Sequence, residues 1–149
     1  MAYYKDIREY IQTLEAHNKL FRIKREINKD TELHPLVRWQ FRGLPEKERR
    51  AFLFEKVVDA RGKRYGVPVL VGCHAASTEV YALGLQCQPG EIPERWAQAQ
   101  LHPVEPRLVE AGSVQEEVHM GDGLLEHGGI EEFPVPISTP GFDNAPYLT

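Results

Sequence analysis

Cys73 and His74 are adjacent residues that directly follow a compact apolar run, residues 67–72. A thiol at the carboxyl end of a strand, beside an imidazole base, is an arrangement that can support a cysteine nucleophile. Adjacent side chains on a strand point to opposite faces of the sheet, however, so the two groups are not expected to cooperate. The pattern therefore favours a packing role for the small Cys73 side chain over a catalytic role.

Three further polar side chains lie near the carboxyl terminus. Ser138 and Thr139 stand just before Pro140 and Gly141 and could bind an anion. Hydroxyls beside prolines more often form local hydrogen bonds that stabilise a turn, which we favour here. Asp143 could orient backbone amides or a distant partner, and we likewise favour structure over catalysis at this carboxylate.

Metal and phosphate motifs are not evident in the sequence. The histidines are dispersed, and no pair has the spacing of a zinc-binding helix. The glycines at 121, 123, 128 and 129 complete neither a dinucleotide fingerprint nor a phosphate loop. We therefore expect no metal ligands, and we expect surface or structural roles for His17, His34, His74, His102, His119 and His127.

The charge balance argues against nucleic acid as a partner. The chain has 18 basic and 22 acidic residues and a net charge of -4. The basic clusters at residues 22–25 and 47–50 are interrupted by other residue types and are predicted to be solvated faces. No signal peptide or membrane-spanning run is apparent, and the two cysteines cannot form a disulfide framework. We expect reduced thiols and a cytoplasmic protein.

The first half of the chain shows the periodicity of a layered α/β fold. A helix capped by Asp6 and ended by Asn18 precedes a half-exposed strand at residues 20–27. A second helix, capped by Thr31 and closed by Gly43, carries a wide apolar stripe that implies burial; its members are Leu33, Leu36, Val37, Trp39 and Phe41. Two strands buried on both faces are then predicted at residues 52–58 and 67–72.

The second half begins with helices and then changes character. Ser77 is predicted to cap a helix that ends at Gly84, and Pro93 to open another helix that carries Trp96. Beyond residue 103 prolines and glycines become frequent, and a strand is predicted at residues 114–119 before a turn at residues 121–123. We expect an α/β domain at residues 1–110 and a separate segment at residues 111–149.

Residues 134–149 contain four prolines, which exclude a helix and favour an extended segment. Pro140 and Gly141 indicate a turn, and residues 147–149 begin a strand-forming run that has no visible partner. We therefore expect this sequence to be part of something larger.

Several segments together resemble the UbiD-type decarboxylases. Residues 6–11, 14–15 and 20–23 are similar to the amino terminus of that family, and residues 51–57 and 68–71 agree with its following segments in order and spacing. Residues 134–137, 140–143 and 145–149 resemble the entrance of its flavin-binding domain. Relatives often carry an asparagine-containing segment where this chain has residues 72–74, so no feature of that turn is transferred.

The resemblance implies an amino-terminal α/β domain, followed at residues 111–149 by the first part of an incomplete flavin-binding split β-barrel. It also implies prenylated FMN with Mn or Mg and K as cofactors, and reversible decarboxylation of an aromatic, heteroaromatic or α,β-unsaturated acid. Loss of carbon dioxide from an sp² carbon leaves an unstabilised carbanion, so a cofactor must accept electron density while the protein supplies a proton.

The family's catalytic arginine and glutamates, and its metal-binding residues, have no matching positions in this sequence. Thr149 is the one residue that the resemblance places close to the flavin. The chain alone is therefore expected to be inactive, with the remainder of the decarboxylase as its partner and a homo-oligomer as the complete form. An alternative is a noncatalytic binding or assembly module whose proline-rich tail docks on another protein by edge addition.

Overall fold

The first helix, α1 (Ile7–Ala16), begins where the sequence predicts. In the computed structural model, which describes residues 3–137, the Asp6 carboxylate accepts hydrogen bonds from the backbone N–H groups of Arg8 at 2.8 Å and Glu9 at 3.1 Å. These contacts satisfy donors that the first helical turn leaves unpaired. Asn18 has a φ of 56°, a left-handed conformation that asparagine tolerates, and it turns the chain out of the helix as predicted.

A mixed sheet of four strands forms the centre of the fold. Strand β1 (Leu20–Asn28) lies parallel to β2 (Ala51–Val58), and β3 (Arg64–Tyr65) and β4 (Val69–Val71) both pair antiparallel with the other edge of β2. The prediction of burial on both faces is confirmed for the first half of β2. It is wrong for β4, whose residues are half-buried because this short strand lies at the edge of the sheet.

Helices cover both faces of the sheet and create two apolar cores. Helix α2 (Leu33–Gly43) covers the first core, which contains Ile27, Leu33, Val37, Phe52, Phe54 and Val57. Helices α1 and α3 (Thr78–Leu85) cover the second core, which contains Tyr10, Leu14, Ala51, Ala76 and Val80. Neighbouring residues Ala51 and Phe52 enter different cores because strand side chains alternate between faces. The predicted layered α/β domain is therefore present.

The start of α2 differs from the prediction. Thr31 is exposed and does not cap the helix, which has no side-chain cap. Instead, Asn28 Oδ1 accepts from the Thr31 N–H at 3.2 Å, and the Glu32 carboxylate accepts from the Asn28 N–H at 2.8 Å. The turn before α2 is thus closed by the side chains of Asn28 and Glu32, which accept from backbone donors within this turn.

The apolar stripe predicted on α2 is narrower in the structure. Trp39 is 73% exposed and Phe41 is 40% exposed, so these aromatic rings do not enter the core. Gln40 is buried instead, and its amide both donates to the Arg50 carbonyl at 3.0 Å and accepts from the Arg50 N–H at 2.9 Å. A buried amide is stable when both of its ends are paired, and this pairing ties α2 to the residue that precedes β2.

Helices α3 and α4 (Ile92–Leu101) follow the predicted starts closely. Ser77 Oγ accepts from the Val80 N–H at 3.2 Å, and Pro93 lies in the first turn of α4. Helix α3 ends at Leu85, one residue beyond the prediction, because left-handed Gln86 closes it instead of Gly84. Within residues 3–137 no helix has the length and apolar composition that a bilayer span requires.

The predicted strand at residues 114–119 is absent, although these residues are all described. A 3₁₀ turn at Ser113–Gln115 is followed by irregular chain, the short helix α5 (Asp122–Glu126) and a second 3₁₀ turn at Gly129–Glu132. This segment instead pairs its backbone within local turns: the Gln115 N–H donates to the Gly112 carbonyl at 2.9 Å, and the Leu124 N–H donates to the Gly121 carbonyl at 3.1 Å. The domain boundary near residue 110 stays a prediction.

Candidate functional site

The turn after β4 brings Cys73 and His74 together. Cys73 Sγ lies 3.2 Å from His74 Nδ1, so the prediction that their side chains face apart is wrong. The physical reason is that the strand ends at Val71 and Gly72 has a φ of 74°, which interrupts the alternation of side chains before Cys73. The Tyr10 hydroxyl, in turn, lies within hydrogen-bond distance of the carbonyl oxygens of Cys73 and Val80.

Contact with an imidazole does not make Cys73 a reactive thiol. Burial raises the pKa of this thiol, which keeps it protonated at neutral pH. Since the thiolate is the nucleophilic form, the environment opposes covalent catalysis. The structure is therefore consistent with the packing role predicted from sequence, even though the geometry that led to that prediction is different.

Alkaline titration tests this description of the second core. Burial raises the pKa of Tyr10 as well as that of Cys73. Because both pKa values are higher in the folded state than in the unfolded chain, the stabilising contribution is complete below the unfolded values, about pH 8.5 and 10, and is lost as the pH rises through the folded values. We expect the melting temperature to fall above about pH 9.

The matched variants for this experiment are Cys73→Ala and Tyr10→Phe, which each remove one titrating group. Melting temperatures measured by circular dichroism between pH 7 and 11 should decline less steeply in each variant, even if its stability at neutral pH is lower. Parallel curves for the wild type and both variants would show that neither group is protected from ionisation by the fold.

A shallow groove of about 420 Å³ lies beside the start of α3. Its lining includes Glu46, whose carboxylate accepts from the Thr78 N–H at 2.7 Å and also from the Thr78 hydroxyl. The hydrogen bond from the Thr78 side chain is the main cause that lowers the pKa of Glu46. The amino terminus of α3 is thus occupied by a carboxylate of the chain itself, and this groove does not provide an anion site.

The basic clusters singled out in the sequence make internal contacts. Arg22 lies between Glu15 and Glu55, with nitrogen–oxygen distances of 2.8 and 2.9 Å. Arg49 donates to the Leu44 carbonyl at 3.1 Å and lies over the Phe41 ring. These cations therefore make contacts within the domain surface, as expected for solvated faces.

The hairpin between β2 and β3 contacts the segment around Glu131 and Glu132, near the end of the described chain. Asp59 Oδ1 closes this hairpin by accepting from the N–H groups of Arg61 and Lys63, each at 2.9 Å. Lys63 Nζ then donates to the Glu131 carbonyl at 3.0 Å and to Glu132 Oε1 at 2.7 Å. Sequence reasoning missed this contact because the residues are 69 positions apart and no local pattern links them.

Potential metal ligands are not clustered in the part of the chain that the structure describes. Within residues 3–137 no group of three or more His, Cys, Asp or Glu side chains could hold a metal ion. Among the histidines, His119 and His127 stack with ring centroids 3.8 Å apart. Ser138, Thr139, Asp143 and Thr149 lie outside the described residues.

An α/β domain with this arrangement can now be placed in a family. The family model for the N-terminal domain of 3-octaprenyl-4-hydroxybenzoate carboxy-lyase, UbiD_N, matches residues 11–100, which is more than half of the chain. The chain therefore belongs to the UbiD family, as the sequence resemblance predicted. Comparison with curated protein sequences gives no match.

Solved structures of UbiD-class enzymes agree with this assignment. The enzyme HmfF from Pelotomaculum thermopropionicum in complex with FMN is 26% identical, with a TM-score of 0.66, and the match covers 96% of this chain and 29% of HmfF. An evolved dimeric form of HmfF, in complex with prFMN, is 25% identical over 96% of this chain and 30% of that protein, with the same TM-score of 0.66.

Vanillic acid decarboxylase from Sedimentibacter hydroxybenzoicus, in its open form, is 26% identical with a TM-score of 0.56, and the match covers 72% of this chain and 22% of that protein. The chain thus spans less than a third of the length of these relatives. Within residues 3–137 no cluster of side chains fits a metal site, and no reaction step is assigned to these residues.

Proposed function

We propose that this chain is the amino-terminal part of a non-oxidative, reversible decarboxylase that uses prenylated FMN. The substrate is an aromatic, heteroaromatic or α,β-unsaturated carboxylic acid. Catalysis resides in sequence that follows this domain, and the 149-residue chain alone is inactive. The observation that carries the proposal is the match to HmfF, which extends over 96% of this chain but only 29% of that flavin-bound enzyme.

The absence of a metal-binding cluster from the described residues supports the assignment of catalysis to the sequence that follows. Decarboxylation at an sp² carbon needs a flavin that accepts electron density and a nearby group that donates a proton. Within residues 3–137 no potential metal cluster is present, and Cys73, the most suggestive nucleophile, has a raised pKa. We therefore assign the flavin, Mn or Mg, and K to the downstream domain, with Thr149 as a contact at its entrance.

The role we propose for the α/β domain is to pack beside the flavin barrel and to form one wall of its cleft. Large apolar side chains are concentrated on the surface from α4 onward; those exposed include Trp96, Leu101, Val104, Leu108, Val109, Val114, Val118, Met120 and Ile130. A surface this apolar is typical of one that is covered in the complete protein. The split barrel is the covering element that the family assignment suggests.

We place the complete enzyme in the cytoplasm as a homo-oligomer. Cys73 and Cys87 are both free thiols, which suits a reducing compartment. Dimers are the commonest closed assemblies of soluble proteins, and an evolved form of HmfF is dimeric. The surfaces that would build such an assembly belong mainly to the downstream domains.

Complementation with the downstream sequence tests the proposal. The chain would be co-expressed with the segment encoded immediately after it, with prenylated flavin supplied, and flavin retention and carbon dioxide release would be measured on a panel of unsaturated acids. We expect both signals from the pair and neither from the single parts. No downstream segment, or no gain in either signal, would contradict the proposal and favour a noncatalytic assembly module.

A further inference from the structure

The segment at residues 111–137, called the tail here, is strongly acidic. It contains six Asp or Glu residues and no Lys or Arg. A cation that fixes this tail must therefore come from outside it. Lys63 meets that requirement, because it donates both to the Glu131 carbonyl and to the Glu132 carboxylate from the hairpin between β2 and β3.

The lysine itself is held in place by the core of the domain. Asp59 directly follows β2, and its carboxylate fixes the backbone of Lys63 through a 2.9 Å hydrogen bond. Tyr65, the next residue but one after Lys63, pairs with Val57 in the sheet, and its ring lies 5.3 Å from Lys63 Nζ. Contacts with residues in or next to the sheet thus fix the position of the Lys63 ammonium group.

Gly128 leaves room for the Glu132 carboxylate that accepts the hydrogen bond from Lys63. This residue has a φ of 82°, and a Cβ placed there would overlap the Glu132 carboxylate. A side chain at position 128 would therefore displace the carboxylate and also strain the backbone. Beyond the contact, Phe133 N–H donates to the Ile130 carbonyl at 3.1 Å and Pro134 is buried, so the chain continues against the domain.

We propose that Lys63 and Glu132 form a latch that fixes where the chain leaves the α/β domain and so positions the flavin-binding domain that follows. This inference rests on the proposed function. Lys63 and Glu132 are positioning residues: they act through the path of residues 133–137 and touch neither flavin nor substrate. Their contact determines the orientation of the α/β domain, which forms one wall of the cleft, relative to the flavin-binding domain.

Hydrogen–deuterium exchange of the full-length protein tests the latch directly. Lys63→Met and Glu132→Gln should each accelerate exchange in peptides from residues 128–137 by about threefold or more, because local opening no longer breaks a charged contact. Exchange in β2 should stay unchanged. Lys63→Arg keeps the charge and the donors and should remain within about twofold of the wild type. Gly128→Ala should behave like Glu132→Gln.

Arg64→Met is the matched control, because Arg64 neighbours Lys63 and pairs with Glu26 of β1 at 3.0 Å without reaching the tail. It should leave residues 128–137 protected. The latch proposal would be overturned if Lys63→Met left exchange at residues 128–137 unchanged, or if Arg64→Met accelerated it equally.

Turnover separates this inference from the proposed function. In an active enzyme, Lys63→Met should lower kcat by about fivefold at unchanged flavin content, and Lys63→Arg should restore it. Unchanged kcat would overturn the positioning role. If the wild type retains no flavin and releases no carbon dioxide, the proposed function fails, whereas exchange at residues 128–137 still decides whether the latch exists.

Discussion

Phe54→Ala is expected to lower the free energy of unfolding by about 3–5 kcal/mol, more than any other single truncation in this domain. Phe54 is fully buried on the central strand β2, and its ring stacks on Phe52 with centroids 5.7 Å apart. It packs in the core between the sheet and α2, where Ile23 is its neighbour across the parallel pair. Removal of the ring leaves a cavity that rigid strands on both sides cannot close.

A loss of this size is a large fraction of the stability of an ordinary domain, about 5–15 kcal/mol. Urea denaturation followed by circular dichroism would measure it. Phe41→Ala is the matched control, because the Phe41 ring is 40% exposed and its truncation should cost about 1 kcal/mol or less. Equal losses in the two variants would contradict the assignment of Phe54 to the core.

The 149-residue chain by itself is expected to retain no flavin and to release carbon dioxide no faster than buffer. Enzymes commonly accelerate reactions by at least about 10⁶-fold, and within residues 3–137 no group of three or more His, Cys, Asp or Glu side chains could hold a metal ion for such catalysis. The comparison is between this chain and the longer protein, both expressed with prenylated flavin and purified identically. The longer protein should carry all of the activity.

Isotope-labelled acids and mass spectrometry of the released carbon dioxide would measure this difference over a broad substrate panel. Cys73→Ala in the longer protein is an internal control, because a thiol that only packs against its neighbours should leave kcat within about threefold of the wild type. If the short chain turned over substrate and Cys73→Ala abolished that turnover, the assignment of catalysis to the downstream domain would be contradicted, because the catalytic site would then lie in the turn after β4.

Local signals explain why much of the fold was predictable from sequence. Asp6 and Ser77 cap helices with backbone donors two or three residues away, so a short stretch of sequence contains the whole interaction. The apolar alternation of β1 and the dense apolar run of β2 likewise report burial directly. The family resemblance rested partly on these segments and partly on residues 134–149, and the match over residues 11–100 confirms membership of the family.

Contacts between distant residues were not predictable in the same way. Glu46 meets Thr78 across 32 positions, and Lys63 meets Glu132 across 69. Trp39 was expected in the core because its spacing fits a helical stripe, but Gln40 takes the buried position by pairing with Arg50. The strand expected at residues 114–119 is absent because strand formation depends on pairing with a distant strand, which the local sequence pattern does not reveal.

The turn at Cys73 and His74 shows how one backbone conformation changes a site prediction. Alternation was assumed to continue past β4, whereas Gly72 adopts a positive φ and redirects the next residues. The thiol and imidazole consequently meet, yet burial raises the pKa of Cys73 and so disfavours the nucleophilic thiolate. The functional outcome therefore depends on the thiol's environment as well as on its distance from a base.

Native mass spectrometry of the longer protein, expressed with a supply of prenylated flavin, tests the central claim most directly. We predict a polypeptide that carries this chain and the sequence encoded after it, with one prenylated FMN bound to each copy. The mass of the apoprotein alone, under conditions in which a flavin-bound UbiD-class enzyme such as HmfF retains its cofactor, would contradict the assignment of this domain to a flavin-dependent decarboxylase.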